Sequence, residues 1–394
     1  MKRAGLAVLA VGALVAAACG GDDDTGTSSS GDGGGGLPET ITVGVPLDTS
    51  GAAGVAGVGT DELDGVRLAA QEINDTDFFE GSTIELVEID TKADKQEAVS
   101  ATLDLVSQEV DGIVGFTLTP SFLAAAPQIA QVGTPTVAVG LSAPGVTEAG
   151  DSIFRLYPDM SAVIPPGDVA FLEAMPDIET AAYIYQSDAE SAASIHESRM
   201  AAIEEAGVET VAVETFTGTD TDVRAQLTSI DQEAPDVVVA TPLPGMMTTV
   251  YLQAEEVGID AQLFVAPDTS DDILEQAGEA MQCAVYTTAW NAQSTEGNNT
   301  EFLEYWDANG ADRSATVFVA AGYASLWSFA EGVKAAGSTD AAEVTEAMSA
   351  LDGLASPFGD IGFTEDRTAD VQGTAVQVVD GELALWDPEG DCAR

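Results

Sequence analysis

The chain is short of positive charge, of histidine and of cysteine. In 394 residues it has 12 Lys and Arg against 67 Asp and Glu, one His and three Cys, for a formal net charge of −55. So few cations exclude nucleic acid as a partner, because holding phosphates takes clustered Lys and Arg. The acids are scattered over surface-like positions and not blocked into a tail, which reads as a solvated acidic surface. Adaptation to saline surroundings, where cations screen self-repulsion, is the sharper form of that reading. With His196 as the only histidine, no common zinc set can be assembled. It stands in a polar helix beside Glu197, so an exposed side chain is expected. Neither a G-x-S-x-G elbow nor a Walker-type phosphate loop occurs, and the glycines after Val45 miss the G-x-G-x-x-G spacing. No catalytic dyad stands out among so many carboxylates. The sequence therefore points away from an enzyme and names no cofactor or metal.

Long apolar runs are also missing. Ala4 to Ala18 falls short of the roughly 20 residues that a membrane span needs. Behind Lys2 and Arg3 it has the form of a signal peptide over residues 1–18. Cys19 directly follows Ala16-Ala17-Ala18 and resembles the lipobox of bacterial lipoproteins, in which the cysteine is lipidated. Ala16 departs from the usual Leu or Val of that motif, and the same triplet satisfies the A-x-A rule for a freely secreted protein. Residues 19–38, rich in Gly, Ser, Thr and Asp, read as a flexible linker, with folded sequence starting near Leu37-Pro38. An exported protein is expected, lipid-anchored to the cell membrane on its extracytoplasmic face, in the periplasm or at the cell surface. In such a compartment Cys283 and Cys392 suggest one disulfide; two separately buried thiols are the alternative.

The remainder is long enough for two lobes instead of one core, and it alternates strands with helices twice over. Ile41–Val45 reads as a buried strand, and Leu63, Val66, Ala69, Ala70 and Ile73 lie on one helical face. Strand Thr83–Ile89, helix Lys95–Val110, strand Gly112–Phe116, helix Pro120–Gln131 and strand Pro135–Val139 follow. A second series runs through strand Ala181–Tyr185, helix Ala189–Ala206 and strand Val211–Glu214. It continues with helix Val223–Ile230, for which Asp222 is the expected N-cap, strand Asp236–Ala240, helix Met246–Val257 and strand Leu263–Val265. This spacing implies βαβ units and parallel sheets. After Cys283 come helices Glu301–Asp307, Ala315–Ala336 and Ala341–Ala350. Short strands then appear near Ile361–Phe363, Thr374–Val379 and Leu383–Trp386, the last two looking antiparallel. This third section is expected to complete the first two.

Several runs in order carry a family resemblance. They are Ile41-Thr42-Val43-Gly44-Val45-Pro46-Leu47 with Ser50-Gly51, and Gly65 to Asn74. Val114-Gly115, Thr119, Ala124-Ala125-Ala126-Pro127 and Gly133-Thr134-Pro135 follow. Ser142-Ala143-Pro144, Val146-Thr147 and Phe154-Arg155 extend the match. The chain resembles the branched-chain amino-acid-binding proteins, the leucine/isoleucine/valine-type substrate-binding subunits of ABC importers. The resemblance implies the α/β type I periplasmic-binding-protein fold, with two doubly wound parallel-sheet lobes joined by three hinge crossings. It places lobe 1 at 39–158 and 288–363, and lobe 2 at 159–287 and 364–394. Cys283 and Cys392 then share a lobe, which favours the disulfide.

Ligands in open α/β sheets sit beyond the carboxyl ends of the strands. Gly115 to Ser121, with Leu118, leaves one such end and enters a helix at Pro120, whose first-turn amides form a small anion site. Gly140, Leu141 and Ser142 leave the adjoining strand. The resemblance implies carboxylate-binding hydroxyls at Thr119 and Ser142 and a backbone contact at Gly140; alternatively Thr119 caps its helix and Ser142 serves a turn. For the ligand ammonium it offers Asp268, matched within a one-residue shift. Val58, Glu190 and Leu243 fill positions that are aromatic in the family, and Glu190 could hold a cation or an amide. The implied partners are a small amino acid or a related carboxylate or amide, ABC permease subunits, and the membrane through an N-terminal lipid. A ligand-sensing receptor using the same clamshell is the alternative function.

Overall fold

The computed structural model describes residues 36–51, 55–143, 145–265, 271–390 and 392, with the side chains of 271 and 272 outside it. The expected signal peptide, Cys19, Pro144 and Asp268 lie outside the described residues.

The first sheet grows by strand–helix repeats: β1 (Thr40–Leu47), α1 (Val55–Asp75), β2 (Thr83–Asp90), α2 (Lys95–Ser107), β3 (Gly112–Gly115), α3 (Thr119–Val132), β4 (Thr136–Ala138) and β5 (Ile153–Arg155). All its strands are parallel, in the order β2-β1-β3-β4-β5. Both β3 and β4 are buried at every position, as parallel strands covered on both faces must be. The α2 helix starts where Asp94 accepts the N–H groups of Gln96 and Glu97 at 2.8 and 3.0 Å, a side-chain cap of the usual kind.

The second series is α4 (Met160–Ala174), β6 (Thr180–Gln186), α5 (Glu190–Glu205), β7 (Glu209–Phe216), α6 (Arg224–Gln232), β8 (Val237–Thr241), α7 (Pro244–Val257), β9 (Gln262–Val265), α8 (Asp271–Ala277) and β10 (Val285–Thr288). Its parallel strands run β7-β6-β8-β9-β10, which repeats the winding of the first sheet. The chain then forms α9 (Asn299–Asn309), α10 (Val317–Ala336), α11 (Ala341–Ser349), β11 (Leu354–Ser356), β12 (Gly359–Ile361), β13 (Thr374–Val379) and β14 (Glu382–Leu385). As expected, this section returns to what precedes it. α10 packs along α1, and β13 and β14 extend the second sheet antiparallel from β10.

Two glycines set the α1–α10 approach. A Cβ on Gly65 would lie 2.0 Å from the Val319 carbonyl, and one on Gly322 would lie 2.1 Å from that of Glu62. The helices touch backbone to backbone, and no side chain fits at either position. Three crossings join the lobes: after β5, after β10 and between β12 and β13. The first and third are zipped together. Arg155 N–H donates to Arg367 O at 3.0 Å, Ala369 N–H donates to Arg155 O at 2.8 Å, and the buried Arg155 guanidinium donates to Ala143 O at 2.8 Å and to Thr368 Oγ1 at 3.2 Å.

Cys283 and Cys392 form the disulfide, with Cα atoms 5.0 Å apart across a separation of 109 residues. Other expectations change. His196 is 4% exposed, not solvated: it stacks on Tyr185 with centroids 3.9 Å apart, because Ala192, Ile195, His196, Arg199 and Ile203 form the buried stripe of α5. Asp222 does not cap α6. Val223 holds that position without a side-chain bond, while the Asp222 carboxylate accepts from the Arg224 backbone N–H and guanidinium. The strand expected at Ile361–Phe363 ends at Ile361, where it pairs with β11, and Phe363 adds an isolated bridge to Ala369. α4, β5, α8, β10 and β11 were not read from the sequence.

Candidate ligand-binding site

In the order β2-β1-β3-β4-β5 the winding reverses between β1 and β3, which is where open α/β sheets hold ligands. Register carries the β3 and β4 exits side by side: Gly115 pairs with Ala138, and Val139 N–H donates to Gly115 O at 3.0 Å. Thr117, Leu118 and Thr119 thus leave the sheet next to Gly140, Leu141 and Ser142. Leu118 is the N-cap of α3 and makes no side-chain cap bond, so the cap is not Thr119. Ser121 and Phe122 N–H donate to Leu118 O at 3.1 and 3.0 Å and Pro120 has no N–H, which leaves the Thr119 amide to meet an acceptor. Thr119 is 8% exposed; Leu118, Gly140 and Ser142 are half-buried. The Leu141 side chain packs into the core with Phe116, Phe122 and Val146, which leaves only its backbone for a ligand.

Beneath these residues lies a polar cluster that the sequence did not single out. Asp48, one residue past β1, is 1% exposed and Glu62 of α1 is fully buried. Asp48 N–H donates to Thr117 Oγ1 at 3.2 Å, and that hydroxyl donates to Glu62 Oε2 at 2.6 Å. Asp48 Oδ1 accepts the Thr91 hydroxyl and the Ala93 N–H, the latter at 2.8 Å. Asp48 Oδ2 and Glu62 Oε1 have no hydrogen-bond partner among the described residues. Glu62 presses on Gly140: a Cβ there would sit 1.9 Å from Oε1. Burial holds the Glu62 carboxyl well above the usual carboxylate range; the Thr117 hydrogen bond opposes this, and the charges of Asp48 and Asp61 add to it. The neutral acid is thereby favoured. A signal existed, since Glu62 falls in register with Val66, Ala69 and Ile73 on the buried face of α1.

The second sheet presents a matching edge. Leu243 is the N-cap of α7, again with proline in the first turn and no side-chain bond. Its N–H donates to Gln186 Oε1 at 3.2 Å, and Gln186 Nε2 donates to Asp188 Oδ1 at 3.0 Å. Beneath that edge Arg199 grips Asp168 through two contacts of 2.6 and 3.0 Å, both side chains fully buried, and reaches Ala240 O and Thr241 Oγ1 at 3.3 Å. Glu190 is the first residue of α5, exposed and on this lobe. The five lobe-one residues are therefore brought together and Glu190 stands apart from them. Two surface cavities lie elsewhere, one of about 640 Å³ beside Glu72, Tyr323 and Trp327 and one of about 450 Å³ beside Leu274 and Val376. Neither includes Thr119, Gly140 or Ser142.

Residues 40–382 match the periplasmic binding protein family. The chain belongs to that family. Among curated proteins it is similar to the leucine-, isoleucine-, valine-, threonine- and alanine-binding protein of Pseudomonas aeruginosa, 23% identical over 79% of this chain and 83% of the relative. Among solved structures it is similar to the branched-chain amino acid transporter substrate-binding protein LivJ of Streptococcus pneumoniae in complex with isoleucine. That match has a TM-score of 0.76 at 24% identity and covers 87% of this chain and 97% of the other. A solute-binding protein of an ABC transporter from R. palustris, in complex with benzoate, matches with a TM-score of 0.76 at 19% identity over 88% and 95% of the two chains. These likenesses establish the type I periplasmic-binding fold for this member of the family. Among the described residues no helix is long and apolar enough to cross a membrane.

Proposed function

We propose that this chain is the extracytoplasmic solute-binding protein of an ABC importer. It captures a small amino acid or a related carboxylate or amide between its lobes and delivers it to the membrane permease. In this reading Cys19 carries the lipid anchor, lobe 1 comprises 39–158 and 288–363, and lobe 2 comprises 159–287 and 364–394. The observation that carries it is the strand-end geometry of lobe 1, where an uncapped helix N-terminus with Thr119 meets Gly140 and Ser142 on the neighbouring strand exit. The Thr119 amide together with the Thr119 and Ser142 hydroxyls suits a carboxylate or an amide oxygen. Similarity to proteins named for aliphatic amino acids and for benzoate supports a small carboxylate-bearing solute. Lobe 2 closes over it, with Glu190 and Asp268 as candidates for a cationic or amide group.

Thermal unfolding against a panel of amino acids, amides, urea and small carboxylates tests this reading. A true solute at a hundredfold its dissociation constant stabilises by about 2.7 kcal/mol, and the shift is expected to vanish in Thr119→Ala/Ser142→Ala. A shift unchanged in that double variant would move the site off lobe 1.

A further inference from the structure

The lobe-one edge has an unusual foundation for a carboxylate site. Two buried acids, Asp48 and Glu62, lie beneath it, where the Thr117 hydroxyl accepts the Asp48 backbone N–H and donates to the Glu62 carboxyl. The buried Arg155 guanidinium is engaged by Ala143 O and Thr368 Oγ1. We propose that Glu62 is a specificity-determining residue of the strand-end site: pressed against Gly140 and held by Thr117, it lets a solute carboxylate bind only while Glu62 itself is uncharged. This rests on the binding function proposed above.

The geometry leaves Glu62 one role open. Its Oε2 accepts the Thr117 hydroxyl, so a proton on the carboxyl belongs on Oε1, the oxygen without a partner that abuts Gly140. Asp48 Oδ1 accepts a hydroxyl and an amide. A charge on Glu62 would lie directly behind Gly140, the expected backbone contact of a ligand carboxylate, and would repel a carboxylate bound there.

Few groups can compensate. Asp48 from the end of β1 and Asp61 on its own helix face Glu62 as acids, and the loop after β3 brings the Thr117 hydroxyl. The α10 backbone lies against it at Gly322, and α10 has no charged residue from Val317 to Ala330. Arg313 is engaged by Asp61 and Asp64, and Lys92 by Glu97. Uncharged amide solutes lack the repelled charge, so discrimination between carboxylate and amide resides in the state of Glu62. Above the pH at which Glu62 ionises, each bound carboxylate brings one proton from solvent onto it.

Calorimetric titration of leucine, isoleucine and benzoate, with their amides as counterparts that lack the carboxylate charge, tests this from about pH 6 to about pH 10 in buffers of different protonation heat. The proteins compared are wild type and Glu62→Gln, in which the amide fixes the uncharged state. Wild-type affinity for a carboxylate is expected to fall by up to about tenfold per pH unit above the ionisation of Glu62, with matching proton uptake. Glu62→Gln is expected to keep the low-pH affinity throughout, and the ratio of the two proteins cancels titration of the solute. Proton uptake is read on wild type alone, so a poorly folding variant does not decide the matter. Carboxylates bound equally by both proteins at every pH, without proton uptake, would overturn the inference and leave the solute-binding function standing, as would a preference for the amides at low pH. Binding of none of these solutes would remove the proposed amino-acid function and this inference with it.

Discussion

The two lobes are wound alike and buried unlike. Each sheet repeats the same strand order, and in each the third strand leads through an uncapped leucine into a helix with proline in its first turn. Beneath that edge lobe one keeps two acids bonded through Thr117 and a buried Arg155 held by Ala143 O beside the β4 exit, whereas lobe two keeps a bidentate Arg199–Asp168 pair with a neighbouring histidine. Topology therefore fixes where a ligand can sit, and the buried polar groups fix how each half responds to charge. Function resides in the second level.

The strongest way to break the comparison is to unpair lobe two. Arg199→Ala strands Asp168 as a lone buried charge and is expected to cost about 3–5 kcal/mol of unfolding free energy. The double change Arg199→Met/Asp168→Leu removes both charges and should restore most of it. A mild effect of Arg199→Ala would mean that water reaches the pair.

Proton linkage gives the next effect, with opposite signs in the two lobes. Burial and the charge of Arg199 push His196 down to about 4. Its contribution to stability is present above the unfolded value near 6.5 and is lost as pH falls toward 4, by at most about 3 kcal/mol. Glu62 is raised instead, so its contribution is complete below the ordinary carboxylate pKa and is lost as pH rises. Denaturation across pH should show His196→Phe flattening the acid limb and Glu62→Gln flattening the alkaline limb. Identical limbs in variant and wild type would dissolve the distinction.

The alternation of strands and helices was legible because parallel strands buried on both faces read as continuous apolar runs, as in Gly112–Phe116 and Asp236–Ala240. Five elements escaped that pattern: α4, β5, α8, β10 and β11. α4 contains Pro165 and Pro166, which argue locally against a helix, and tertiary packing against α5 and β10 overrides them. β5 and β10 are only three and four residues long, too short for a period. In the site, Thr119, Gly140 and Ser142 were legible as strand exits. Asp48 and Thr117 were not, and Glu62 was marked only by its register with Val66, Ala69 and Ile73 on the buried face of α1, which is easily passed over in a chain with 67 acids. His196 failed the same way: its neighbours in sequence are polar, while its neighbours on the helix face are Ala192, Ile195 and Arg199.

The central claim is that a solute on these strand ends draws the lobes together. Labels at Lys95→Cys and Thr219→Cys report on it directly, since both positions are exposed and lie beyond the outer strands β2 and β7, while Cys283 and Cys392 are held in their disulfide. A solute that raises the melting temperature should shorten the distance between the labels, and Thr119→Ala/Ser142→Ala should abolish the change. A solute that stabilises the protein while that distance stays fixed would contradict the account.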